Sequence, residues 1–201
     1  MDTIGVCNMA LTLLGANKIL SLDDGTTASE LCKQWLEPAR DMVLESRDWT
    51  FASKRKRLPA LVDAPVSEFE FQFLLPSDCL SIRAVCNNED MQIPTEYQKE
   101  DNRILARFDP VWIRYTALIT DMEQFPPGCY TALAHRLAQF LSGPLTGNKG
   151  LGDRLVVQSE QMVEDGGAID GRQGSPNQVT SSQLLNARSR TGSMWHPYIG
   201  I

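Results

Sequence analysis

Apolar residues recur at helical spacing in four segments of the chain, two of them near its start. The first segment runs from Asp2 to about Leu14, and Gly15 follows where a C-terminal glycine cap is expected. The second segment begins at Thr27, which with Glu30 has the spacing of a capping box. The pattern therefore predicts two helices joined by a loop.

The second predicted helix contains Pro38, which removes one backbone hydrogen bond and is expected to kink or split the helix. Helical periodicity returns after residue 125. A third helix is predicted over Tyr130–Leu141 and is expected to stop at Gly143 and Pro144. A fourth is predicted from about Leu151 to Glu164.

Between residues 66 and 120 the period changes from that of a helix to that of a strand. Phe69, Phe71 and Phe73 alternate with polar residues, which is typical of a strand with one side in water. The segment Gln92–Tyr97 is a weak strand because it contains Pro94. The remaining predicted strands are Cys79–Val85, Ile104–Phe108 and Val111–Leu118.

This order of elements predicts an α+β fold: a helical bundle body with an inserted small antiparallel β-sheet or sandwich. Residues 1–165 are expected to form one domain, helical over 1–58 and 126–165, with the β insertion at 66–120. Residues 166–201 hold six of the 14 glycines and few apolar residues. They are expected to form an extended C-terminal arm.

The arm ends in aromatic residues, which a purely solvated tail has no reason to carry. It therefore either docks on a partner or packs back on its own body. The candidate docking residues are Leu184, Leu185, Arg188, Arg190, Trp195 and Tyr198.

The 201 residues carry a formal charge of −6 and a pI near 5.0, which argues against a protein whose main task is to bind nucleic-acid phosphate. One dense basic run stands out at Lys54, Arg55, Lys56 and Arg57. The run is either a solvated face or a contact with a partner or a nucleic acid. No apolar run approaches the roughly 20 residues that span a membrane, and Met1-Asp2-Thr3 is unlike the start of a signal peptide.

The chain shows no arrangement of residues typical of catalysis. His135 and His196 are the two histidines, and neither has a serine or cysteine partner suggested by the sequence. The sequence has neither metal-ligand spacing nor a phosphate-binding loop. The five cysteines lack the close spacing of metal sites and redox pairs, so we expect reduced, mostly buried thiols. We therefore expect a non-enzymatic interaction protein without a metal or cofactor. Acidic pairs lie in predicted turns or at element ends, at Asp23-Asp24, Glu89-Asp90, Glu100-Asp101 and Glu164-Asp165.

Several segments, taken in order, resemble the phage head–tail connector proteins known as the tail tubular protein A family. The segment Phe73–Leu80 is similar to that family's strand–LP-x-D-C–strand signature, and so is Ile113-Arg114-Tyr115 followed by Thr120-Asp121. The resemblance covers roughly residues 4–165, and Pro38 departs from it. Its other segments are Cys7–Gly15, Leu22–Asp24, Ala28–Asp41, Trp49–Ala52, Phe125–Pro127, Ala132-Leu133, Arg136–Ala138 and Leu145–Gly147.

The resemblance implies a structural virion protein at the head–tail junction, made in the host cytoplasm. Such an adaptor forms a ring of about twelve subunits between the portal and the tail nozzle or next connector. DNA passes through the lumen without specific binding, and the C-terminal arm would dock on the portal. Two alternatives stay open: a virion-associated glycan hydrolase that uses exposed carboxylates, and a DNA-binding assembly factor that uses Lys54–Arg57.

Overall fold

A computed structural model describes residues 2–171 and shows the predicted α+β architecture. Four helices form the body, and six strands form two small antiparallel sheets. The helices are α1 Thr3–Leu13, α2 Thr27–Ser46, α3 Pro127–Thr146 and α4 Lys149–Gly171. The strands are β1 Ser53–Leu58, β2 Phe71–Leu74, β3 Cys79–Cys86, β4 Tyr97–Glu100, β5 Arg103–Ala106 and β6 Val111–Ala117.

Helix α3 is the centre of the bundle, because it packs against each of the other three helices. Its apolar stripe, with Leu133, Leu137 and Leu141, is fully buried. Gly128 of α3 lies against Gly166 of α4 so closely that a Cβ at position 166 would be 2.8 Å from the Gly128 backbone. The two helices therefore meet backbone to backbone at this point.

Helix α2 starts at Thr27 as predicted and continues without a break through Pro38. Thr26 is its N-cap and forms a capping box with Ser29, so the predicted pairing of Thr27 with Glu30 is wrong. Pro38 and Gln34 both lie on the exposed side of the helix. The carbonyl that Pro38 leaves without an amide partner can therefore be hydrated.

Two predicted helix ends are wrong, both because glycine was taken as a stop signal. Helix α3 continues through Gly143 and Pro144 to Thr146 and is capped by Gly147, whose φ of 64° suits glycine. Helix α4 continues to Gly171, so the expected arm does not begin at residue 166. Residues 172–201, and with them all six candidate docking residues, lie outside the described part of the chain.

The two sheets have the strand orders β1–β6–β3 and β2–β5–β4. The predicted strands over β2, β3, β5 and β6 are confirmed, whereas the weak strand at Gln92–Tyr97 is replaced by β4, which begins at Tyr97. Residues 53–58 form an edge strand, so the helical assignment of 1–58 is wrong for its last six residues. The basic run Lys54–Arg57 consequently lies on the first sheet.

Candidate functional site

The register between β1 and β6 places two arginines of the basic run on the same side of the sheet as Trp112 and Arg114. Arg55 is directly opposite Arg114, and Arg57 is directly opposite Trp112. Directly opposed residues in an antiparallel pair project to the same face. We call the surface formed by Arg55, Arg57, Trp112 and Arg114 the basic sheet face.

The two lysines of the run project to the other side of β1, opposite buried residues of β6. Lys54 is opposite Tyr115, and its ammonium donates to the Asp78 carboxylate at 2.7 Å. The Tyr115 hydroxyl donates to the second oxygen of the same carboxylate at 3.1 Å. Lys54 therefore has a structural partner, and Lys56, opposite buried Ile113, is exposed because β1 lies at the sheet edge.

These contacts shift the pKa values of the acid and the phenol in opposite directions. The hydrogen bond from Lys54 lowers the pKa of Asp78 below its ordinary value, with help from the Tyr115 hydroxyl. Burial and the neighbouring Asp78 carboxylate raise the pKa of Tyr115 to about 12. At neutral pH the acid is therefore ionised and the phenol is a hydrogen-bond donor.

The opposed pair Arg55 and Arg114 carries an electrostatic cost within the subunit. Like charges directly opposite each other across two strands are destabilising. Asp48 forms an ion pair with Arg114 and relieves part of this cost. Across residues 2–171, no carboxylate forms an ion pair with Arg55 or Arg57.

Arg57 lies over the Trp112 ring, with the guanidinium carbon 5.7 Å from the ring centroid. A cation in this position is attracted by the π-face of the indole. Arg57 is exposed and Trp112 is half-buried, so one edge of this stack faces water. The planar guanidinium groups suit bidentate binding of carboxylate or phosphate, and the indole offers apolar area beside them.

Arg83 of β3 fixes the basic sheet face against the C-terminal end of α2. Its guanidinium donates to the Thr116 hydroxyl at 2.8 Å. It also donates to the carbonyls of Glu45 at 2.9 Å and Arg47 at 2.7 Å, with a longer bond to Leu44. The carbonyls at this end of a helix lack intrahelical partners and carry partial negative charge. Arg83 therefore ties the sheet to α2.

The other residues considered for chemistry are not brought together. His135 lies on α3, where its Nδ1 is 2.9 Å from the Thr131 carbonyl. All five cysteines are free thiols, and the prediction that most are buried is confirmed for four of them. The eight carboxylates of the acidic pairs are all exposed. Within residues 2–171, no group of three His, Cys, Asp or Glu side chains is arranged to hold a metal ion.

A surface cavity of about 410 Å³ lies beside the second sheet, next to one of these acidic pairs. Glu100 and Asp101 line it together with Gln72 and Arg103. The Arg103 guanidinium donates to the Gln72 side chain at 2.8 Å, so its cation faces a neutral amide. The two acids lie in water at the end of β4. This arrangement gives neither carboxyl group the buried surroundings that keep a general acid protonated.

Sequence reasoning identified the basic run but missed Asp48, Trp112 and Arg114, which share its outer surface. The alternation of apolar and polar residues in β6 marks Trp112 and Arg114 as one face. Only the pairing of β1 with β6 places that face beside Arg55 and Arg57.

The class of molecule defined by this fold, over residues 2–171, is an α+β protein with a helical bundle, two small sheets and a basic surface patch. No helix within residues 2–171 is long and apolar enough to cross a membrane. Comparison of the chain with protein-family models and with curated proteins finds no match.

Proposed function

We propose that this protein is a structural head–tail adaptor of a phage virion. In this role copies of the chain form a ring, dodecameric in the family it resembles, between the portal and the tail nozzle or next connector. The lumen of the ring gives DNA a passage. The proposal extends the sequence resemblance, and one contact in the structure supports it.

The supporting contact joins two separate segments of the resemblance. Asp78 belongs to the Leu75–Leu80 segment, and Tyr115 belongs to the Ile113–Tyr115 segment. The Tyr115 hydroxyl donates to the Asp78 side chain, and the backbone amide of Leu118 donates to the Asp78 carbonyl at 2.7 Å. The two segments that resemble the same family thus lie side by side in the fold, at the pairing of β3 with β6.

The surface chemistry agrees with a passage for DNA. The whole chain carries −6, and residues 172–201 contain three arginines and no acid, so residues 1–171 carry −9. A wall of the same sign as DNA keeps the duplex from adhering to it. The exposure of the acidic pairs also favours a structural role over the glycan hydrolase, because a general acid needs a site that raises its pKa.

Co-sedimentation with portal rings of the same phage tests the adaptor role. Saturation near one copy per portal subunit is expected, and portal rings of an unrelated phage serve as the control. Absence of binding across a range of salt concentrations would contradict the proposal.

The C-terminal residues are proposed to dock on the portal through Leu184, Leu185, Trp195 and Tyr198, with Arg188 and Arg190 meeting acidic groups. Deletion of residues 177–201 is expected to abolish portal binding and to leave the circular dichroism spectrum unchanged. Unchanged portal binding by the truncated protein would refute this assignment.

The basic sheet face keeps a second candidate function open, a DNA-binding assembly factor, because Arg55 and Arg57 have no acidic partner in the described chain. This function predicts duplex binding that weakens steeply as salt rises. Charge reversal at Arg55 and Arg57 would remove that binding, and electrophoretic mobility shift measures it.

A further inference from the structure

Within residues 2–171, the basic sheet face presents two arginines, Arg55 and Arg57, that form no ion pair. Arg55 and Arg114 are opposed across two strands, and Asp48 is the one acid that pairs with them in the described chain. Arg57 is held on Trp112, so its guanidinium is oriented without an acid. An outside carboxylate would relieve the repulsion and use the exposed edge of the Trp112 ring as apolar contact.

The same chain offers a complementary surface at the other end of α2. Asp24 lies just before the helix, Glu30 in its first turn and Glu37 at its middle, and all three are exposed. Lys33, on the same stretch, is paired with Asp23. Arg83 and the Asp48–Arg114 ion pair place the basic sheet face at the C-terminal end of this helix. A helix of 20 residues is roughly 30 Å long. The subunit therefore carries opposite charge at the two ends of α2.

We propose that the basic sheet face binds the exposed acidic surface formed by Asp24, Glu30 and Glu37 at the start and middle of α2 in a second copy of this chain. A second copy satisfies both surfaces, because the acids on α2 of one copy can pair with Arg55 and Arg57 of the next copy. DNA is the alternative occupant, and the experiment below distinguishes it from a second copy of the chain.

The symmetry of such a contact follows from the signs of the charges. Two basic sheet faces cannot pair with each other, because arginines would then oppose arginines. The contact therefore joins different surfaces of the two copies, which can either form twice in a two-fold dimer or repeat around a ring or along a filament. The inference rests on the proposed adaptor function only for closure of the ring. Each contact can be modest, because many of them act together in a closed assembly.

The test uses two charge-reversed variants of the full chain and a matched control. The first variant is Arg55→Glu/Arg57→Glu, and the second is Glu30→Arg/Glu37→Arg. The control, Lys18→Glu/Lys99→Glu, makes the same change of net charge as the first variant at exposed positions elsewhere. Sedimentation velocity at low salt measures self-association, and circular dichroism checks that each variant is folded.

We expect the wild-type chain and the control to self-associate at low salt and to dissociate near 1 M salt, where charges are screened. Each reversed variant alone should associate about tenfold more weakly or worse. An equimolar mixture of the two should associate again, because the reversed face of one meets the reversed helix of the other. A chain carrying all four substitutions should recover for the same reason.

The proposal fails if wild type stays monomeric at low salt, or if the mixture and the fourfold variant do not recover. Loss of duplex DNA binding in Arg55→Glu/Arg57→Glu, with self-association unchanged, would assign the face to DNA instead. These results are separable from the adaptor role. The protein can bind portal rings even if the charge-reversed variants do not behave as expected, and the variants can behave as expected even if the protein does not bind portal rings.

Discussion

Replacement of Arg83 by alanine should weaken the attachment of the first sheet to the end of α2. The guanidinium of Arg83 donates to the Thr116 hydroxyl and to three carbonyls at the end of α2. Hydrogen bonds that involve a charged group contribute about 1.5–3 kcal/mol each. In the variant the carbonyls near the exposed Glu45 regain water, which offsets part of the loss. We therefore expect Arg83→Ala to lower the free energy of unfolding by about 2–4 kcal/mol.

Two further substitutions divide this loss into its parts. Arg83→Lys keeps the charge near the negative end of the α2 dipole but cannot reach Thr116 and the carbonyls together. It should lose about half as much stability as alanine, or about 1–2 kcal/mol. Arg83→Met keeps the apolar stem without a hydrogen-bond donor. If the hydrogen bonds dominate, its free energy of unfolding should be close to that of Arg83→Ala.

Equilibrium unfolding in urea measures these differences, and the fluorescence of the fully buried Trp49 supplies a signal. A change in midpoint with an unchanged denaturant slope is expected, since the folded core stays the same. An Arg83→Ala variant within about 0.5 kcal/mol of wild type would refute the reasoning, because surface substitutions away from such contacts have effects of that size.

Two other predictions follow from the helix crossing and from the signature loop. Gly128→Ala should destabilise by about 3 kcal/mol or more, because its Cβ would collide with the backbone of Gly166, which cannot rotate away. Gly143→Ala is the matched control within the same helix; its Cβ meets open space, so thermal unfolding should show stabilisation by about 0.5–1 kcal/mol. The ionised Asp78 carboxylate contributes stability above its ordinary pKa of 3.8, and this stability is lost as the pH falls through its lower folded pKa. Asp78→Asn should therefore be less stable than wild type near pH 7 and should lose less stability on acidification below about pH 4; parallel pH curves for the two proteins would contradict this.

Helical periodicity predicted the four helices because each apolar stripe is a local property of the sequence. It failed at β1, where an edge strand with exposed residues on both faces has no apolar alternation to show. The prediction from composition also failed at Gly166, where the glycine content indicated an extended arm. That residue instead allows α4 to approach α3, a role that depends on the partner helix and not on the local sequence.

The candidate site was predictable only in part. The density of charge at Arg55 and Arg57 is visible in the sequence, but Trp112 and Arg114 come from a distant segment and Asp48 from just beyond the end of the preceding helix. Pairing of β1 with β6 brings Trp112 and Arg114 to the arginines, and the end of α2 brings Asp48. Strand register between segments far apart depends on the packed core, so no local pattern shows it.

The last turn of α4 is attached to the strand that carries the basic run. Asp170 is buried and accepts a hydrogen bond from the Thr50 amide, which begins the short 3₁₀ helix Thr50–Ala52 immediately before β1. Arg47, one of the acceptors of Arg83, lies across Gly167 in the same turn. The last turn of α4 is thus joined to the segment that enters β1 both by the Asp170–Thr50 hydrogen bond and by the packing of Arg47 on Gly167. A shift of this turn would therefore be felt at the first residues of the strand that carries Arg55 and Arg57.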